Sequence, residues 1–391
     1  MPNAVIVSAC RTPIGRYGKS LLGFSAMQLG AIAIKEAVVR ARIKPGDVEE
    51  VIMGNVISAG LGQAPARQAA IYAGIPDSVP AFTVNKVCAS GLKAITLAAD
   101  SIRLGNQEML VAGGMESMSN APYVNREARW GARLNDVKLV DAMVYDGLWD
   151  VYNNFHMGVT GEIVAERYKI TRGDMDKLSY ESHMNAQKAT QDGKFKPEIV
   201  PVQLPGPDKK MFERDEGIRA DTTIEKLGKL PAAFKEGGTV TAGNASQLSD
   251  GGAACVVMSE DAANKRNLNP LARIVDYASV GVKPEWVMEA PIPAVRKLLK
   301  KVGLEVKDID LWEHNEAFAS ASCAVMKELG IPREKFNVNG GAVALGHPIG
   351  CSGARIMATL THAMKDRNAR RGIETICLGG GNAMAVLVER I

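Results

Sequence analysis

The sequence predicts an α/β protein built from two similar halves, and three observations support that fold class. Short apolar runs that suit strands alternate with segments whose apolar residues recur at helical spacing, which indicates βαβ units and a parallel sheet. One pattern occurs twice, as FTVN from Phe82 and as FNVN from Phe336, and a Ser-Gly pair that opens a helix follows each copy. Residues 119–248 interrupt the repeat, and a segment this long predicts an inserted domain with a binding role.

The predicted elements follow one order in both halves. In the first half they are a strand at 3–9, a helix at 25–41, a strand at 48–56, the helix GQAPARQAAIYAG, a strand from Phe82, a helix from Ser90 and a strand at 109–112. In the second half they are a helix at 294–301, a strand at 310–313, the FNVN strand, a helix from Ser352 and a strand at 374–378. The insertion adds helical runs at 159–168 and 174–191.

Size and composition limit the class of protein. A chain of 391 residues exceeds one ordinary core, so two or three domains are expected. The net charge of +4 is spread along the chain, which indicates no nucleic-acid footprint but suits an anionic small ligand. The chain has neither a membrane-length apolar run nor a basic leader, so we expect a cytoplasmic protein. Its six cysteines lie far apart without a CxxC pair, which argues against disulfides and a zinc site.

Cys88 is the first candidate for chemistry, because it lies on the turn between the strand from Phe82 and the helix from Ser90. Unpaired backbone N–H groups and the helix dipole at such a turn favour the thiolate over the thiol. The neighbours of Cys88 are small and leave room for a substrate. The alternative is a buried cysteine that packs like an alanine.

Three more candidates share a topological position with Cys88, at or just after the carboxyl ends of predicted strands, where open α/β sheets place their sites. They are Asn315, His347 and Cys377. The second copy of the repeat exceeds the first by eight residues, which belong to GGAVALGHPIG, the segment that contains His347. The structural alternatives are a helix cap for Asn315, a surface imidazole for His347 and a buried strand cysteine for Cys377.

Seven ordered motifs resemble the thiolase family along essentially the whole chain. They are NKVCASGLKA from Asn85, GGMESMS from Gly113, FHMG from Phe155, TAGNAS from Thr241, NEAFA from Asn315, GGAVALGHPIGCSGAR from Gly340 and CLGGGNA from Cys377. The resemblance implies the thiolase fold, an αβαβα layered sandwich of duplicated βαβαβ halves with an inserted loop domain. It divides the chain into an N-terminal half (1–118 and 249–268), an inserted domain (119–248) and a C-terminal half (269–391).

The resemblance also implies roles for the candidates. Cys88 would be the acylated nucleophile, His347 its activating base and Cys377 the second acid/base. Asn315, with a water and His347, would form one oxyanion hole, and the backbone N–H groups of Cys88 and Gly379 would form the other. A thiolate can exchange one thioester for another at little cost, and a neutral imidazole is a suitable base near pH 7, so this division of labour is chemically reasonable.

The same resemblance, closest to the biosynthetic tetrameric enzymes, implies the substrate contacts. His156, Arg219 and Ser246 would contact coenzyme A, and the pantetheine channel would be lined by Leu148, Met157, Phe234, Leu248 and Phe318. Met157 and Phe318 would restrict the acyl pocket. The chain has Gln247 where the biosynthetic enzymes commonly have glycine, beside this channel.

The implied function is a reversible Claisen condensation of two acetyl-CoA molecules to acetoacetyl-CoA and CoA, by a ping-pong mechanism through an acetyl-cysteine. No cofactor or metal is expected, and the segment 123–150 predicts a homotetramer. The alternatives are a degradative 3-oxoacyl-CoA thiolase of broader chain length and a non-catalytic acyl-CoA-binding protein. A decarboxylating ketosynthase would lack a second catalytic cysteine, so Cys377 argues against it.

Overall fold

The computed structural model describes residues 2–391. Its strands are β1 (Ala4–Arg11), β2 (Gly15–Arg16), β3 (Glu50–Gly54), β4 (Ala81–Val84), β5 (Met109–Ser117), β6 (Tyr123–Val124), β7 (Val140–Asp141), β8 (Trp149–Asp150), β9 (Phe155–His156), β10 (Val202–Gln203), β11 (Met211–Phe212), β12 (Ser249–Ser259), β13 (Ala272–Gly281), β14 (Leu311–His314), β15 (Arg371–Leu378) and β16 (Asn382–Glu389). Its helices are α1 (Ala26–Arg40), α2 (Pro65–Tyr72), α3 (Ser90–Arg103), α4 (Ala142–Gly147), α5 (Gly158–Tyr168), α6 (Arg172–Gln191), α7 (Ile224–Gly228), α8 (Glu260–Lys265), α9 (Pro291–Val302), α10 (Ala319–Leu329), α11 (Ala342–Leu345) and α12 (Ser352–Asp366).

The two halves have the same sheet topology, which confirms the duplication. In the first half the strand order is β4–β3–β5–β12–β1. In the second it is β14–β15–β16–β13, with a parallel bridge from Trp312 to Phe336 in the place that β4 occupies in the first half. The FNVN segment is therefore a single bridge rather than the full strand that the repeat predicts. β1 pairs with both β12 and β13, and through it the two sheets join.

The sheet is mixed, so the prediction of a parallel sheet is only partly correct. Pairing is parallel between β3 and β4, β3 and β5, and β14 and β15, but antiparallel where β12, β1, β16 and β13 join. β5 also extends beyond the predicted 109–112, through Gly113 and Gly114. A Cβ on Gly113 would lie 2.1 Å from the carbonyl oxygen of Ala253 on β12, so the close pairing of these strands requires glycine there.

The elements stack in five layers. Helices α3 and α12 lie side by side between the two sheets and share one core with the inner faces of both. Helices α1 and α2 cover the outer face of the first sheet, and α9 and α10 cover that of the second. The two central helices approach closely, since a Cβ on Gly353 would lie 2.4 Å from the backbone nitrogen of Leu92. This order of layers confirms the predicted αβαβα sandwich.

The long segment between β5 and β12 contains α4–α7 and the short hairpins from β6 to β11. Its two longest helices begin and end close to the predicted runs, at Gly158–Tyr168 and Arg172–Gln191. α5 and α6 pack against α10 of the second half, and α6 also packs against α11. Within residues 2–391, no helix is both long and apolar enough to cross a membrane.

Candidate active site

Three of the four candidate side chains line a single pocket. It is a mostly apolar pocket, and its walls are formed by Cys88, Gly147, Leu148, Met157, Ser246, Val287, Met288, Ala317, Phe318, His347, Ile349, Cys377, Leu378 and Gly379. The first half contributes Cys88, the second contributes His347 and Cys377, and the inserted segment contributes Leu148, Met157 and Ser246. The fourth candidate, Asn315, reaches the pocket through His347.

A strained turn presents Cys88 at the start of α3. Val87 has a φ of +45°, a left-handed conformation that is rarely adopted by a β-branched residue. The turn is held by the side chain of Asn85, which accepts a hydrogen bond from the Val87 N–H at 3.0 Å. It is also held by the hydroxyl of Ser90, which accepts from the Lys86 N–H at 2.8 Å and donates to the Val87 carbonyl at 2.6 Å. Strain at this position fixes the direction of Cys88.

Burial favours the thiol form of Cys88, and here the structure differs from the expected thiolate. Burial raises the pKa of Cys88 to about 12, and this effect outweighs the backbone N–H groups of Gly379 and of Cys88 itself, which lower that pKa. The backbone N–H groups therefore lower the pKa of Cys88 by less than burial raises it. Both N–H groups nevertheless point at the Cys88 sulfur, where the resemblance expects an oxyanion hole.

The structure buries His347 and fixes its tautomer, so the alternative of a surface imidazole is wrong. Its Nδ1 lies 2.5 Å from the Ser352 hydroxyl, which also lies 2.9 Å from the Pro348 carbonyl oxygen. The Ser352 hydroxyl has one proton and donates it to the Pro348 carbonyl oxygen. The proton of the neutral imidazole is therefore on Nδ1 of His347, which donates it to Ser352. Nε2 is then unprotonated and faces the pocket. Burial, aided by the positive charge of Arg355, lowers the pKa of His347 to about 3.

Asn315 follows β14 and lies beside His347. Its Nδ2 is 3.4 Å from Nε2 of His347, an arrangement that fits an amide N–H facing an unprotonated ring nitrogen. Asn315 does not cap a helix, since α10 begins only at Ala319. Its Oδ1 is buried without a hydrogen-bond partner among residues 2–391. The amide is therefore placed to act on the pocket and not to terminate a helix.

Cys377 lies at the end of β15, where it is buried and faces the pocket. It is a buried strand cysteine, and it also forms part of the pocket wall, with its Sγ 3.8 Å from Sδ of Met288. Burial, and then the proximity of Cys88, raise the pKa of Cys377. The two thiols are thus close enough to influence each other while both stay protonated at rest.

Six of the eight predicted coenzyme A contacts form or extend the pocket wall. Leu148, Met157, Ser246 and Phe318 are on the pocket wall. His156 stacks on Phe234 with ring centroids 4.8 Å apart, and Phe234 meets Phe318 edge-on at 5.9 Å. These two rings extend the wall outward.

The remaining two predicted contacts lie differently. Leu248 is partly buried and packs in the small apolar cluster that also contacts Cys88 and Leu148. Arg219 is exposed outside the pocket, and among residues 2–391 its guanidinium forms no ion pair. Arg219 is therefore not part of the pocket wall that contains the two thiols.

Glu116 on β5 organises the site although the sequence analysis assigned it no role. Its buried carboxylate accepts hydrogen bonds from the Asn55 side chain at 2.8 Å and from the backbone N–H groups of Val56 at 3.1 Å and Gly350 at 2.9 Å. Burial raises the pKa of Glu116 to about 7. It ties the loop after β3 to the turn before α12, which positions Ser352. The sequence feature that could have indicated this role is the single carboxylate among the small residues of GGMESMS.

Known proteins resemble this chain over its whole length. Residues 4–261 match the family described as Thiolase, N-terminal domain, and residues 268–390 match Thiolase, C-terminal domain. The chain is 52% identical to the acetyl-CoA acetyltransferase of Escherichia coli and 51% identical to that of Cupriavidus necator, with all of both chains covered in each case. The crystal structure of the Bacillus anthracis acetyl-CoA acetyltransferase superposes with a TM-score of 0.98 at 45% identity, covering 100% of this chain and 99% of that one.

Proposed function

The chain belongs to the thiolase family, and from that premise we propose that it is an acetyl-CoA C-acetyltransferase, which condenses two acetyl-CoA molecules reversibly to acetoacetyl-CoA and CoA. The observation that carries the proposal is the single pocket in which Cys88, His347 and Cys377 meet. A nucleophile, a base and a second acid/base are the groups that thioester exchange and carbon–carbon bond formation require. Coenzyme A acts as substrate and product, and the reaction uses no metal or other cofactor.

The first half-reaction loads the acetyl group. Nε2 of His347 takes the proton from the Cys88 thiol, and the thiolate attacks the carbonyl carbon of acetyl-CoA. The charge that develops on the carbonyl oxygen is stabilised by the backbone N–H groups of Cys88 and Gly379. The carbon–sulfur bond to coenzyme A breaks, the leaving sulfur takes the proton from His347, and CoA departs from acetyl-Cys88. The proton and the thioester are both conserved in this exchange.

The second half-reaction forms the new bond. Cys377 passes its proton to Nε2 of His347, and the Cys377 thiolate then removes an α-proton from a second acetyl-CoA. The enolate oxygen is stabilised by the His347 imidazolium and by Asn315, which acts through a water. The enolate carbon attacks acetyl-Cys88, and the departing Cys88 thiolate recovers its proton from His347. Each donor aimed at such an oxyanion typically contributes about 10²-fold or more in rate.

The substrate contacts follow from the pocket and the loops around its mouth. Leu148, Met157, Phe234, Leu248 and Phe318 line the pantetheine channel, while His156, Arg219 and Ser246 contact coenzyme A. Met157 and Phe318, together with Met288, leave a narrow space beside the thiols, which supports a preference for the acetyl group.

Thiolysis of a series of 3-oxoacyl-CoA substrates from four to twelve carbons tests the proposal. We expect kcat/KM to be highest for acetoacetyl-CoA and to fall as the chain lengthens. Equal or rising values for long chains would instead establish the broad degradative 3-oxoacyl-CoA thiolase. Binding of acetyl-CoA without turnover would establish a non-catalytic protein, and a Cys88→Ala variant provides the inactive reference.

A further inference from the structure

Gln247 lies between two predicted substrate contacts, Ser246 and Leu248, but its side chain turns away from the pocket. The pocket wall does not include it. Its Nε2 instead lies within hydrogen-bond distance of three backbone carbonyl oxygens, at 2.9 Å from Gly217, 3.1 Å from Val343 and 3.3 Å from Ala344. One carboxamide thus connects three segments of the chain that are far apart in sequence.

Two of those carbonyls belong to α11, the short helix that leads to His347. A helix of four residues leaves its last carbonyl groups without partners in the helix, and Gln247 supplies N–H donors to them. The backbone carbonyl of Gln247 also accepts a hydrogen bond from the His347 N–H at 3.1 Å. Gln247 therefore holds the chain on both sides of Gly346, the residue between α11 and His347.

The third carbonyl belongs to the loop that carries Arg219. Gly217 precedes Arg219 by two positions, and a Cβ on Gly217 would lie 2.5 Å from the Ala344 carbonyl oxygen and 2.9 Å from Nε2 of Gln247. A side chain at 217 would therefore displace the carboxamide. Glycine at this position lets the Arg219 loop pack directly on α11.

The orientation of the carboxamide follows from its surroundings. With the amide reversed, its oxygen would face three carbonyl oxygens and no donor, so Nε2 must point at them. Oε1 is then buried without a hydrogen-bond partner among residues 2–391. An unpartnered buried acceptor costs stability, so a polar side chain here is not explained by packing.

We infer that Gln247 is a positioning residue, which acts through His347 and joins the Arg219 loop to the segment that carries the base. The inference rests on the proposed function, in which His347 removes the Cys88 proton.

Measurements with two acetyl donors distinguish this positioning role from a general effect on protein stability. Gln247→Met keeps the volume and removes both N–H donors. We expect the rate of Cys88 acetylation at saturating donor, followed by intact mass, to fall about tenfold, as for other partners that orient a catalytic histidine. The loss should appear with acetyl-CoA and with the N-acetylcysteamine thioester of acetate, which lacks the nucleotide end of coenzyme A. Gln68→Met is the matched control, because Gln68 also donates to two loop carbonyls, those of Leu61 and Gln63 at 2.8 Å each, away from the pocket.

The outcomes are distinguishable. Wild-type acetylation rates in Gln247→Met would overturn the inference, and so would a loss confined to acetyl-CoA, because His347 would then be unaffected. An equal loss in Gln68→Met would also overturn it. If Gln247→Met does not fold, Gly217→Ala should show the same loss with both donors, and a wild-type rate there would overturn the inference. Failure of the unaltered protein to acetylate Cys88 would instead refute the proposed function.

Discussion

The hydroxyl group of Ser352 accepts the Nδ1 proton of His347 at 2.5 Å, and this hydrogen bond leaves Nε2 free to act as a base. Ser352→Ala removes the acceptor and allows the other tautomer, in which Nε2 carries the proton. We expect the acetylation rate of Cys88 to fall about ten- to a hundredfold, the range for a hydrogen-bond partner that orients a histidine. Stopped-flow measurement of CoA release checks this. Ser352→Thr keeps the hydroxyl, and a comparable loss in that variant would show that the acceptor is not what matters.

The two pocket cysteines should be separable by substitution. Cys377→Ser should still accept an acetyl group on Cys88, since loading needs only Cys88 and His347. Serine is a much weaker base than a thiolate, so acetoacetyl-CoA formation should fall by about 10²- to 10⁴-fold, the usual scale for a positioned acid or base. Intact mass measures the first event and product formation the second. The assigned roles are wrong if a folded Cys377→Ser fails to acetylate, or if the acetyl group maps to Cys377 in the unaltered protein.

Alkylation of Cys88 should require a higher pH than alkylation of a free cysteine, whose pKa is about 8.5. Burial raises the pKa of Cys88 to about 12, and the thiolate is the reactive form. The rate of modification by iodoacetamide, followed by peptide mapping, should therefore keep rising above pH 9. A plateau below pH 8 would show that the backbone N–H groups outweigh burial, contrary to the structure.

A buried pair of carboxyl groups behind the site should make stability depend on pH. Glu313 on β14 and Glu374 on β15 are register partners, and burial raises the pKa of Glu313 to about 8. The folded protein then keeps a proton that the unfolded chain loses above its pKa of about 4.5, so stability falls as pH rises from 4.5 towards 8. Glu313→Gln removes the contribution of Glu313, while Glu374, whose pKa burial also raises, keeps its own. Relative to the variant, the unaltered protein should lose on the order of 1 kcal/mol per pH unit in denaturant unfolding. A difference that does not vary with pH would contradict the assignment.

Removal of residues 129–135 should reduce the assembly to dimers. The segment places large apolar side chains in solvent, with Trp130 exposed by 79% and Leu134 by 85%, and such a patch suits a protein interface. We expect a homotetramer built from two tight dimers, and light scattering measures both states. An unchanged tetramer after the deletion, or an unaltered protein that is already monomeric, would exclude this interface.

The sequence predicted the fold from its internal repeat, and the limits of that prediction have physical causes. The alternation of strands and helices located α1, α3, β14 and α12 to within a few residues. It missed β12 because the first seven residues of that strand, SDGGAAC, include no β-branched residue. The sheet needs these small residues, since a Cβ on Gly252 would lie 2.3 Å from the Leu29 carbonyl oxygen. A contact between residues far apart in the chain produces no pattern in the local sequence.

The residues of the candidate site could be predicted from the sequence, but the pKa values of their side chains could not. The positions of Cys88, His347 and Cys377 followed from the turns after strands and from the duplicated motif. The state of Cys88 depends on burial by both halves, which outweighs the local helix start that the sequence shows. Glu116 contacts the turn before α12 across 234 positions of sequence, so no local pattern reveals that contact.

The position of β1 has a consequence for how the protein is made. This strand is completed within the first 11 residues of the chain, but both of its partners, β12 and β13, lie between residues 249 and 281. On the ribosome, β1 must wait for both of these strands, although Arg11 at its end can form its bridge to Ile199 earlier. Contacts this distant in sequence slow folding, and exposed strand edges favour aggregation in the meantime. A strand synthesised long before its two partner strands is thus among the last to be fixed in the sheet.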